Sequence, residues 1–285
     1  MFSPIDTRDP LAVEGEVQAA YRGMFPQGDP AFVATAFGGL RECFAGAHTD
    51  FQAIDAHYHD LEHTLQGTLC MTRLLQGRQQ ALARPLLTQR MFELGVLAML
   101  FHDMGYLKRK DDREGTGAKY TLTHVARSVS FAEEFLGAKG VPIAEIRSIQ
   151  NMIRCTGLHV ALDRIPFQSE LERIVGFALG TADLLGQMSA DDYIDKLPTL
   201  YAEFEESARF YEGKMASMMT FASAADLIRR TPDFWDTYVM PKLEKDFWGL
   251  YRFLNHPYPH GPNFYVQKIE ANIERLRKQL AQSQS

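Results

Sequence analysis

Residues 88–105 read TQRMFELGVLAMLFHDMG. Met91, Leu94, Leu97, Ala98 and Phe101 fall at the three- and four-residue steps that bring side chains onto one helical face. The spacing predicts a strongly apolar helix over Thr88–His102 that stops at Gly105. This helix ends in His102-Asp103, and an imidazole beside a carboxylate is costly to bury unless something pairs with both. A divalent cation would do so.

The same periodicity continues in both directions. A first helix is expected over about Asp9–Phe25, closed by Pro26, Gly28 and Pro30, and a second over Ala31–Ala45. A third runs from His57 to about Gln76, with Leu61, Leu65, Leu69 and Thr72 on one stripe. After a polar loop, Lys108–Lys119, Thr123 is placed to cap a helix carrying Val125, Val129, Ala132, Phe135 and Leu136. Pro142 opens the next, with Ile146, Ile149 and Ile153 inward, and a turn at Gly157 leads to His159. A long helix over about Ser169–Gln187 buries Leu171, Ile174, Val175, Ala178 and Ala182. Helices continue beyond Asp191 and end in a charged one over about Tyr265–Gln282. Trp235, Phe247, Trp248 and Tyr251 read as core of this last part. Period-two alternation is rare, and no Asn-Gly or Asp-Gly hairpin turn occurs. The expected fold is all-α: one domain over 1–285, with a helical-bundle core at about 50–190 and a helical C-terminal extension at about 191–285.

The chain has 285 residues, 46% of them hydrophobic and 23% charged, enough for a sizeable core. A net charge of −6 and the lack of a long basic run argue against binding a nucleic-acid polymer. Cys43, Cys70 and Cys155 show no paired spacing, the pattern of buried thiols rather than of a disulfide frame. The N-terminus lacks the apolar stretch of a signal peptide, and no window approaches the roughly 20 apolar residues that span a bilayer. A cytoplasmic location without a membrane partner is therefore expected. The methionine-rich stretch Lys214–Phe221 is a candidate surface for a homo-oligomer.

The histidines carry the chemical signal. On a helix through His57–Gln76, His59 and His63 sit one turn apart and share a face. Asp183 lies near the end of the apolar helix over Ser169–Gln187. Along the chain the order is His63, His102-Asp103, His124, His159, Asp183, on successive predicted helices and turns. In that order the sequence resembles the HD superfamily of metal-dependent phosphohydrolases over roughly His57–Gln187. The resemblance implies an HD/phosphodiesterase-like bundle in which His63, His102, Asp103 and Asp183 bind a first metal. It also implies that His124 and His159 bind a second, with Asp103 bridging.

The run His57-Tyr58-His59-Asp60-Leu61-Glu62-His63 is similar to the Tyr-His-Asn-x-x-His signature of class I cyclic nucleotide phosphodiesterases, with Asp60 in place of Asn. That likeness implies that His59 is the general acid and His63 a ligand. Lys108 and Arg109, just past Gly105, are candidates for holding a substrate phosphate. Two divalent transition ions (Fe, Mn, Co or Zn) suit the mixed His and carboxylate set. The expected reaction is hydrolysis of a small phosphate ester, a nucleotide or phosphodiester. The same ligand order also occurs in mixed-valent di-iron oxygenases of the HD type, and a non-catalytic metal- or nucleotide-binding module is a third reading. Where those phosphodiesterases continue as His-Asp-x-x-His-Pro-Gly, this chain reads His102-Asp103-Met104-Gly105-Tyr106, so the substrate stays open.

Overall fold

The computed structural model describes residues 5–157, 160–211 and 221–282. Among them are ten α-helices and no strand longer than an isolated bridge, as the periodicity predicts. The helices are α1 (Pro10–Met24), α2 (Phe32–Phe44), α3 (Leu61–Gln80), α4 (Gln89–Phe101), α5 (His124–Ala138), α6 (Ile143–Ile153), α7 (Glu170–Met188), α8 (Tyr193–Phe210), α9 (Ala224–Phe234) and α10 (Phe264–Gln282). No helix among the described residues is long and apolar enough to cross a membrane.

Side-chain caps set several helix starts. The Thr88 hydroxyl accepts from Met91 N–H at α4, and Ser169 accepts from Glu172 N–H at α7. Each satisfies one of the amides that a helix start leaves without a partner. Thr123 does not cap α5. Its hydroxyl pairs with Tyr211 Oη at 2.7 Å and with the Tyr120 carbonyl, and so is already committed.

The third helix starts later than its stripe suggested. Asp60 is extended (φ −93°, ψ −176°) and accepts from His63 N–H, so α3 begins at Leu61. His57, Tyr58 and His59 therefore lie in the approach to the helix, not on it. An Asx carboxylate that can reach its own third following amide competes with helix propagation and wins here.

Helix α3 runs through the middle of the bundle and packs most extensively along α7. It is buried well beyond the expected stripe: Thr64 and Thr68 are covered as fully as Leu65, Leu69 and Thr72. Their hydroxyls are satisfied by back-bonding, Thr68 Oγ1 to Thr64 O and Thr72 Oγ1 to Thr68 O, each at 2.8 Å. Close approach to α7 requires Gly186, where a Cβ would sit 2.8 Å from Gln66 and Gly67 backbone atoms. Helix α4 is buried from Phe92 to Phe101, and each such large apolar side chain contributes about 1.5–3 kcal/mol relative to exposure.

Beyond α9 the chain winds through wider, π-type turns at Trp235–Val239 and Lys242–Asp246 before a short 3-10 turn at Leu250–Leu254. Trp235 and Phe247 are core, as expected, but Trp248 is not: 48% of it is exposed, at a φ of 55°. The three cysteines are free and buried. Of the methionine-rich stretch, residues 214–220 lie outside the described residues.

Candidate metal centre

Three elements bring two histidines and two aspartates close together. His63 comes from the first turn of α3, His102 and Asp103 from just past the end of α4, and Asp183 from the C-terminal half of α7. His63 Nε2 lies 3.1 Å from Asp103 Oδ2 and 3.2 Å from Asp183 Oδ1. His102 Nε2 lies 3.2 Å and 3.5 Å from the same two oxygens. An ion bound at about 2.0–2.2 Å by nitrogen and oxygen sets its ligands about 2.8–3.6 Å apart, so the spacing fits one. His63, His102 and Asp103 form a fully buried group able to hold a metal ion.

The orientation of His102 supports the same reading. Its Nδ1 lies 2.8 Å from the Met99 carbonyl, which can only accept. Nδ1 therefore carries a proton, which leaves Nε2 as the nitrogen that faces the cluster and is available to an ion. His102 Nε2 and Asp103 Oδ2 are buried with no hydrogen-bond partner, a cost that a cation would remove.

Without an ion, the four groups neutralise one another. Burial alone would lower the imidazoles, but the Asp103 and Asp183 carboxylates, 3.1 and 3.2 Å from His63 Nε2, outweigh it and push His63 up to about 9. His102 is likewise raised well above its ordinary value against the burial cost. Burial would raise both carboxyls, yet the two histidines hold Asp103 and Asp183 well below the usual carboxylate range.

His124 stands on the other side of Asp103, with Nε2 3.8 Å from Oδ1. Its Nδ1 lies 2.6 Å from the Thr121 carbonyl, so Nε2 is left available to an ion, as in His102. Desolvation pushes this imidazole down, favouring the neutral form a ligand needs. Gly105 allows the approach, because a Cβ there would overlap the His124 carbonyl. His159 lies outside the described residues.

His59 is beside the cluster, with its ring centre 5.5 Å from that of His63. It lies flat against Tyr106 at 4.4 Å, and Tyr106 lies flat against His124 at 5.0 Å. His59 Nδ1 is 2.6 Å from Glu203 Oε2 of α8. Burial would raise the buried Glu203 carboxyl, but His59 and the Tyr58 amide hold it below its ordinary value. Sequence reasoning missed Glu203 and Tyr106, and no local pattern marks either.

Lys108 and Arg109 are committed elsewhere. Lys108 Nζ is buried against Asp55 at 2.9 Å and the Gly115 carbonyl at 2.6 Å. Arg109 forms a paired contact with Glu134, at 3.0 and 2.7 Å, and covers the Phe51 ring. Both tie down the polar loop.

Beside His63 lies a small cavity of about 10 Å³, bordered also by Tyr58, Gln66, Gln187, Tyr193 and Lys196, the room of a single water. Tyr58 donates to Gln187 Oε1 at 2.8 Å, and Gln187 Nε2 donates to the Asp183 carbonyl at 3.0 Å.

The fold and the site define an all-helical protein with a buried His/Asp group suited to a metal ion. A family model described as Npun_R2479-like matches residues 43–254, and the chain belongs to that family. The match covers the cluster, His59, His124 and Glu203, and does not identify an HD domain. No curated protein matches the chain.

Proposed function

We propose that the chain is a metal-dependent phosphohydrolase of the HD type acting on a small phosphate ester. The observation that carries the reading is an imidazole, His59, held by a buried carboxylate within one ring spacing of a metal-capable cluster.

In this reading His63, His102, Asp103 and Asp183 hold one divalent ion. Asp103 and His124 would hold a second, to which His159 is the further candidate ligand. Bound ions of this kind supply Lewis-acid polarisation of a phosphoryl group and a nucleophile at neutral pH. Fe, Mn, Co or Zn suits the donor set.

The chain's own residues do the remaining work. Glu203 accepts from His59 Nδ1–H, which leaves Nε2 as the atom that gives its proton to the leaving alkoxide. General acid assistance of this kind is worth about 10²–10⁴-fold. Tyr106 keeps the His59 and His124 rings in register.

Turnover of a panel of mono-, di- and cyclic nucleotides by protein supplied with Mn or Fe tests the proposal. Hydrolysis that His59→Ala abolishes for a poor leaving group, while metal content stays unchanged, is the expected result. Equal turnover by wild type and His59→Ala on that substrate would sink the acid assignment.

A further inference from the structure

A second cavity, of about 350 Å³, is lined by Val160, Leu162 and Asp163, by Arg173 and Phe177 of α7, and by Lys245, Asp246 and Trp248. The two α7 residues that line it, Arg173 and Phe177, lie ten and six residues before Asp183, about 15 and 9 Å along the helix, and none of His63, His102, Asp103 or Asp183 lines it. It is a separate site.

Its walls combine flat apolar faces with uncommitted positive charge. Phe177 and Trp248 meet edge to face at 5.0 Å. The Arg173 guanidinium lies 5.9 Å from the Trp248 ring centre and 5.5 Å from that of Phe167. Arg173 Nε is buried without a hydrogen-bond partner. Among the described residues, neither Arg173 nor Lys245 pairs with a carboxylate, although Asp163 and Asp246 border the same space. Asp246 faces Lys242 instead, at 3.9 Å. Trp248 keeps a backbone conformation that bulky residues seldom adopt, and its indole stays half exposed.

An unpaired guanidinium nitrogen is a standing cost that an anion removes. An exposed indole beside a cation favours a flat ring. The volume lies in the range of small-molecule sites. We propose that this cavity binds a small molecule that joins a planar aromatic ring to an anionic group, the ring against Trp248 and the anion at Arg173 and Lys245. Aryl carboxylates and mononucleotides share that chemistry.

Tryptophan fluorescence of the full chain, titrated with benzoate and with adenosine 5′-monophosphate, tests the proposal. Of the two tryptophans, Trp248 lines the cavity and Trp235 does not, so a saturable change reports on Trp248. A saturable change with at least one probe is expected. A response to both supports recognition of any aromatic anion; a response to one alone identifies that class. Arg173→Gln and Lys245→Gln, the latter on an exposed turn, should each weaken binding about tenfold or more with unchanged circular dichroism. Asp103→Ala should leave the affinity as it is, which separates this result from the metal reading. Three outcomes overturn the proposal: no saturable response to either probe, binding of adenosine or inorganic phosphate as tightly as the joined molecule, or variants that bind like wild type.

Discussion

Glu203 Oε2 lies 2.6 Å from His59 Nδ1, and the other oxygen of the same carboxylate accepts from Tyr58 N–H at 2.7 Å. The two partners are adjacent in sequence, while Glu203 comes from a helix more than a hundred residues away. One buried carboxylate thus fixes both the backbone and the ring of the segment leading into α3. Three residues further along α8, Glu206 accepts from Thr116 N–H and Oγ1, at 2.5 and 2.7 Å, and pins the polar loop. Helix α8 is therefore part of the site's frame.

Removing Glu203 should cost turnover more than metal. Glu203→Ala should lower kcat about 10–100-fold with metal content unchanged, and stability by about 1–3 kcal/mol, because the Tyr58 amide is left unsatisfied. Stopped assays with parallel metal analysis check both. Because the carboxyl is held below its ordinary value of 4.5, it contributes stability above that pH and loses the contribution as acid protonates it. Wild type and Glu203→Ala should therefore converge in stability as pH falls through and below that region.

Metal loading should compete with protons at the cluster. In the ion-free protein His63 is raised from 6.5 to about 9. Its stabilising charge is fully present below pH 6.5 and is lost as pH rises towards 9. Asp103 and Asp183 are depressed, so their contribution holds above pH 3.8 and is lost in acid. A bound ion replaces those protons, so binding releases protons and strengthens between pH 6.5 and 9. Melting curves should show the metal-dependent gain in Tm widening over that range. A gain that is constant with pH would contradict the cluster as the binding site.

The loop cations should separate from the chemistry. Arg109→Ala, on an exposed pair, should change stability by less than about 1 kcal/mol and leave turnover alone. Lys108→Ala should cost about 1–2 kcal/mol, because the buried ammonium holds the Gly115 carbonyl and Asp55. Denaturant melts and assays on the two variants check this. A rise in KM with Arg109→Ala would restore it as a substrate contact.

Gly105→Ala probes the second ion. The added methyl meets the His124 carbonyl, and such overpacking typically costs about 1–3 kcal/mol. The variant should bind less metal than wild type while His63, His102 and Asp183 still hold one ion. Titration calorimetry reads the two stoichiometries.

Much of the frame was legible from residue order because its causes are local. Thr88 and Ser169 cap the helices they precede, and the apolar steps of α4 and α7 place His102, Asp103 and Asp183 at neighbouring ends. The start of α3 was not legible: a helix from His57 keeps His59 and His63 on one face, and only the Asp60 side chain decides that it begins at Leu61 instead. Thr123 failed as a cap because Tyr211, distant in sequence, takes its hydroxyl. Lys108 and Arg109 carry the right charge near the motif, but their carboxylate partners, Asp55 and Glu134, come from other elements. Glu203 gives no local sign at all, since its role exists only once α8 packs against the approach to α3.

Metal content tests the central claim most directly. Protein purified with Mn, Fe, Co or Zn supplied should carry at least one divalent ion per chain. His102→Ala should lose it while keeping its helical circular dichroism. A wild-type protein that takes up none of these ions, or a His102→Ala variant that keeps the full complement, would contradict the account.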